Sequence, residues 1–166
     1  MTFKLRFPEM KIPYWADRAP DLTSLQKIGQ AARARSCLTK AEFLNLCNFK
    51  SPRSKSRCEK NTPELIKEIT AISCRAKSEQ VEIQSLIILT GVSWPTASFI
   101  LHFCSKHNYP ILDYRALWSL SINEPPVYTF EFWKKYTAFC RVLAERNELS
   151  MRRLDSALWQ YSKENQ

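Results

Sequence analysis

The stretch from Ile83 to Ser105 reads IQSLIILTGVSWPTASFILHFCS and contains no Asp, Glu, Lys or Arg. Its 23 residues are long enough to cross a bilayer. Its middle, Thr90-Gly91-Val92-Ser93-Trp94-Pro95, is polar and turn-forming, with Gln84, Ser85, Ser98 and His102 around it, so a membrane span is a poor reading. Two buried helices joined by a tight turn fit better. Gly91 supplies the free φ that lets the chain reverse in few residues. Ser93 reads as the N-cap of the second helix, and Pro95 falls in its first turn, where a missing N–H costs nothing.

Outward from this hairpin the chain reads as helix throughout. Gly29 and Gly91 are the only glycines in 166 residues, where ordinary usage would give roughly a dozen. A dinucleotide fingerprint and a Walker loop each need more glycines than this at close spacing, so both phosphate cradles are excluded, and glycine-dependent β-hairpins with them. The predicted class is all-α, a compact domain of about eight helices over residues 21–166 with the helix-hairpin-helix motif at 79–107, preceded by an extended segment over 1–20. Asp21 reads as the cap of a helix carrying Leu22, Leu25, Ile28 and Ala32. Thr39-Lys40-Ala41-Glu42 is a capping box, and its helix must end before Ser51-Pro52. Thr62-Pro63 opens another helix, with Leu65, Ile69, Ile72 and Ala76 along one face, and Ser78 caps the next, which carries Val81 and Leu86. Asp113 caps a short helix with Ala116, Leu117 and Trp118. After a break at Asn123 to Pro126, Thr129 opens the longest helix and Ser150 caps the last.

The formal charge is +9, which favours a polyanionic partner such as nucleic acid. The densest cation run is KSPRSKSRCEK, Lys50 to Lys60, in which Lys50, Arg53, Lys55, Arg57 and Lys60 face the single anion Glu59; an ordinary solvated loop has the same composition. The six cysteines are scattered without knuckle spacing, and the N-terminus lacks the apolar run of a signal peptide, so a cytoplasmic location is expected. His102 and His107, five apart, do not suit a metal pair. Tyr14, Trp15, Tyr109 and Tyr114 are candidates to stack on a base, and core packing is the better reading for any single one.

The Gly91 turn presents backbone N–H groups at the start of a helix, which hold a phosphate without reading base sequence. In order, LTGVSWPTASFIL and YPILDYRALWSL resemble the hairpin and the aspartate motif of the helix-hairpin-helix DNA glycosylase superfamily, the endonuclease III and adenine glycosylase type. The resemblance covers about a third of the chain. It implies a helical fold whose hairpin, at Leu89, Gly91, Val92, Ser93 and Thr96, grips double-stranded DNA, while Asp113 faces the sugar of a flipped-out nucleotide. More weakly, Phe43 to Ser51 resembles the family's segment that fills the gap left by the flipped base, which puts Lys50 at the inserting position with Arg53 and Arg57 flanking the phosphates.

The departures from the family pattern are informative. Ser93 replaces the hairpin's second glycine, where some members hold an alkali-metal ion. Pro95 stands where bifunctional members carry a nucleophilic lysine, so no lyase step is expected, and the cysteines of the family's iron–sulfur cluster are absent. The expected activity is that of a monofunctional DNA N-glycosylase: as a damaged or modified base leaves, positive charge builds on the sugar and an ionised Asp113 stabilises it. Two alternatives are a non-catalytic helix-hairpin-helix DNA-binding module, in which Asp113 is only a helix cap, and an all-α adaptor that binds protein.

Overall fold

The computed structural model describes residues 2–124 and 126–166; of the expected break at Asn123 to Pro126, Pro125 lies outside the described residues. The chain is all-helical, with no strand among the described residues. The ten α-helices are α1 (Ile12–Asp17), α2 (Thr23–Arg35), α3 (Lys40–Lys50), α4 (Lys55–Cys58), α5 (Pro63–Arg75), α6 (Glu79–Leu86), α7 (Trp94–Cys104), α8 (Tyr114–Ser119), α9 (Phe130–Arg146) and α10 (Met151–Asn165). Eight of them answer the sequence periodicity, and the short α1 and α4 are additional. No helix among the described residues is long and apolar enough to cross a membrane.

The helix starts follow local chemistry. Thr39 and Glu42 form the reciprocal capping box of α3, and Thr62, Ser78, Thr129 and Ser150 each accept the N–H three residues on. Two expected caps differ. The N-cap position of α2 is Leu22 rather than Asp21 and has no side-chain bond, and Ser93 makes no cap bond; its Oγ lies 3.5 Å from Thr96 Oγ1 instead.

The chain divides into two compact units, Leu22–His107 and the pair of segments Met1–Asp21 and Asn108–Gln166. The first holds α2 to α7. Helix α7 packs against α2, α3 and α6, and eight of its eleven residues are buried, which explains its lack of charge. The face of α5 differs from expectation: Leu65 and Ile72 are exposed, and Ile66, Ile69, Thr70 and Ser73 are buried. Polar groups take this inner face because each finds a partner. Thr70 Oγ1 accepts the Leu38 N–H at 2.9 Å and donates to Ile66 O at 2.7 Å, and Ser73 Oγ donates to Glu82 O at 2.7 Å. Val81 of α6 is likewise exposed, and Glu82 is buried with Ser105 Oγ donating to its carboxylate at 2.6 Å.

The second unit joins both chain ends. Residues expected to be extended over 1–20 are so only at the start, where the N–H groups of Lys4 and Arg6 donate to Leu120 O and Ser119 O at 3.1 and 3.0 Å. Beyond Pro8 the chain turns into α1, with Pro13 harmless in its first turn. Helix α1 packs on α10, and Asp17 and Arg18 pair with Arg153 and Glu164 at 2.7 and 2.9 Å. Those partners lie more than 130 positions away, so local periodicity could not announce the helix. Trp133, Tyr136, Cys140 and Leu143 of α9 are buried, whereas Phe132 and Phe139 are partly covered, with their rings against Phe3.

Helices α2 and α7 cross at Gly29 so closely that a Cβ there would sit 2.0 Å from the carbonyl oxygen of Phe103. Alanine gains about 1 kcal/mol over glycine inside a helix, but backbone cannot yield as a side-chain tip does, so the clash decides the sign. Gly29→Ala should lower unfolding stability by roughly 1–3 kcal/mol, seen as a lower urea midpoint with the slope unchanged.

Candidate nucleic-acid interface

Within the unit of residues 22–107 the basic loop and the hairpin turn form one surface, built on a side chain that carries no charge. Asn61 is 2% exposed and stands between α4 and α5. Its amide Nδ2 donates to Thr90 O and to Cys58 O, both at 2.9 Å, and its Oδ1 accepts the Thr90 N–H at 2.9 Å. Both backbone groups of Thr90 are thereby tied to the end of the basic loop.

Gly91 completes the junction. Its φ is +86°, and a Cβ on it would lie 2.8 Å from Cys58 Sγ, 2.9 Å from Cys58 N and 3.1 Å from Arg57 Cβ. Glycine is required here twice, once for the left-handed backbone and once for the space. The loop that lies against it leaves α3 at Ser51, turns through a short 3-10 segment at Pro52–Ser54 and enters α4. Pro52 ends one helix and starts the next turn, which keeps the cations on a folded ledge.

Among the residues singled out from sequence, this geometry brings together Arg57, Gly91 and, through Thr90, the start of the turn. Arg53 and Arg57 are exposed, and Arg57 is steadied by donating to Ser54 Oγ at 3.0 Å. Lys50 places its ammonium 5.9 Å from the centre of the Phe99 ring. Lys55 and Glu59 are 4.0 Å apart, while Arg53, Arg57 and Lys60 make no ion pair among the described residues.

The other hairpin residues divide by role. The side chains of Leu89, Val92 and Thr96 are buried, so they support the turn from below, and the Val92 N–H is used inside it, donating to Leu89 O at 3.1 Å. With the Thr90 N–H bonded to Asn61 and the Val92 N–H to Leu89, the N–H groups of Gly91, Ser93, Trp94 and Thr96 have no partner among the described residues. Two of the turn's own amides, those of Thr90 and Val92, are thus used inside the fold.

An alkali-metal ion at the turn would need backbone carbonyls, and those of Leu89 and Thr90 already accept bonds from Val92 and Asn61, a poor fit for it. Among the described residues no three His, Cys, Asp or Glu side chains converge as metal ligands would. Burial pushes the free thiols of Cys47 and Cys58, hydrogen-bonded to each other, above the usual thiol range, and pushes Cys104 up to about 12.

Asp113 belongs to the other unit. Its carboxylate accepts the Arg115 N–H at 2.8 Å as the N-cap of α8, and its side chain is half-buried. The strand-like lead-in is held from both sides: Tyr136 OH donates to Ile111 O at 2.8 Å, and the Ile111 N–H donates to the buried Asp155 carboxylate at 3.0 Å. Burial, with Cys140 and the carboxylates of Asp155 and Asp113, raises the Tyr136 hydroxyl well above its ordinary value, which keeps it a donor. Burial and the Asp113 charge also push Tyr128 up. Of the stacking candidates, Tyr109 is fully buried against Trp133, Trp15 packs edge-on to Phe7 and Tyr161, and Tyr14 and Tyr114 are half-exposed.

Asn61 was invisible in the sequence, because an asparagine before a Thr-Pro helix start reads as an ordinary turn residue and its partner lies 29 positions on. Comparison with family models, curated proteins and solved structures finds no match for this chain.

Truncating the buried Asn61 removes its three hydrogen bonds, two of them to the backbone of Thr90, at about 0.5–1.5 kcal/mol each. Asn61→Ala should therefore lower the melting temperature by several degrees and raise hydrogen exchange at Thr90 more than at Ile111, which NMR of the amide protons would read.

Proposed function

We propose that this protein binds double-stranded DNA through the ledge formed by the basic loop and the Gly91 turn, and that it acts as a monofunctional DNA N-glycosylase on a damaged or modified base. The observation that carries the reading is the Asn61 clamp, which ties the end of the basic loop to the Gly91 turn, where the amides that open α7 are without partners among the described residues. Cations and amides in that arrangement contact phosphate and sugar rather than base edges, so they position the protein without fixing a sequence. Extruding a nucleotide costs a few kcal/mol, which such backbone contacts offset.

The chemistry falls to Asp113. Hydrolysis of an N-glycosidic bond develops positive charge on the sugar as the base departs, and a carboxylate stabilises that charge best when it need not reorient. The cap bond from Arg115 and the two-sided hold on Ile111 give Asp113 that fixity. Pro95, in the first turn of α7, leaves this position without an amine, so the base is lost to water rather than to a Schiff base.

One observation favours the second reading, a DNA-binding module without catalysis: a carboxylate that caps a helix has a sufficient structural reason to be there.

Binding to a fluorescent duplex should weaken about a hundredfold between 50 and 200 mM salt if about four phosphates are contacted. Joint replacement of Arg53 and Arg57 by Ala should flatten that slope by about two units. Duplexes carrying assorted modified bases should yield abasic sites with wild type and none with Asp113→Asn, which should bind at least as well. Binding without abasic product from any duplex selects the non-catalytic reading, and absence of binding at low salt removes both.

A further inference from the structure

We propose that the exposed ring of Phe49, beside the cationic loop, is a stacking platform for a single unpaired nucleobase, so that the protein prefers DNA carrying one such base to fully paired duplex. This names the substrate feature recognised by the surface described above and rests on the DNA-binding reading. Phe49 is the penultimate residue of α3 and is 52% exposed. It is the one exposed large aromatic of its unit among the described residues.

The ring is not loose. It lies 5.8 Å from Phe99, centroid to centroid, with the planes only 17° apart, and Phe99 is itself buried and braced edge-on by Phe103 at 5.0 Å. Phe49 thus extends a core stack outward, with about half of its surface left in water. The next residue, Lys50, sets its ammonium against the same Phe99 ring, and the chain runs directly into Arg53, Lys55 and Arg57.

A flat apolar face that leads along the chain into a run of cations matches one kind of occupant. Every base offers a π-face and every nucleotide a phosphate, so aromatic rings set in a basic groove bind strands whose bases are free to stack. A base inside duplex already has both faces covered by its neighbours, so only one that is unpaired or displaced can meet Phe49. An apolar peptide would satisfy the ring but not the excess of cations in the loop that follows it.

The test uses the full chain, a fluorescent 20-base-pair duplex and the same duplex with a one-nucleotide bulge of 2-aminopurine, at one salt concentration. Wild type should bind the bulged duplex about tenfold more tightly, with a change in 2-aminopurine emission on binding. Phe49→Ala should bring the two affinities to near equality while leaving that for paired duplex within about twofold, and Phe49→Trp should keep the preference. Because Phe49→Ala also removes packing on Phe99, Phe49→Leu serves as a second variant that fills the space without a ring, and it too should lose the preference. Equal binding of both duplexes by wild type, or an undiminished preference in the Ala and Leu variants, overturns the platform and leaves DNA binding standing. Failure to bind either duplex overturns both.

Discussion

Asn61 is neutral and buried, yet the presentation of charge on this protein depends on it. A loop with five cations within eleven residues repels itself, and in isolation it would spread into solvent to lower that repulsion. Here its far end is tied by one side-chain amide to both backbone groups of Thr90, and Gly91 lets Cys58 approach to van der Waals distance. The cost of closing the loop is offset by the three hydrogen bonds of the Asn61 amide, at about 0.5–1.5 kcal/mol each. A surface suited to a polyanion is thus maintained by a contact that contains no ion.

Asp113 is held by the same economy of means in a different setting. The residue two positions before it, Ile111, has its N–H and its carbonyl bonded by side chains from α10 and α9, which pins the extended segment at that point. A capping carboxylate on such a lead-in has a defined direction. In the glycosylase reading that fixity favours the transition state, because a dipole already aligned need not reorganise when charge appears.

How much was legible depended on the distance over which each feature is determined. The Thr39 box, the Thr62-Pro63 start, the Ser150 cap and the stop at Ser51-Pro52 involve residues three or four apart, and all were readable. So was the uncharged hairpin, because α7 is buried nearly all round. The face of α5 was not. Leu65 and Ile72 carry the hydrophobic pattern, but Thr70 and Ser73 turn inward because they find partners in Leu38 and Glu82, which no periodicity can express. At the candidate interface the cations and Gly91 stood out, whereas Asn61 and Phe49 did not: one owes its role to a partner 29 residues away, the other to a ring on a neighbouring helix.

The unit that contains α1 is assembled from the two ends of the chain, with residues 22–107 enclosed between them in sequence. During translation at about 5–20 residues per second, residues 22–107 can complete their own core while the partners of α1 are still several seconds from being made. Until Arg153 and Glu164 emerge, the amino-terminal helix has nothing to fold upon. The order of synthesis therefore puts the whole of the cationic loop and its clamp ahead of the scaffold around Asp113.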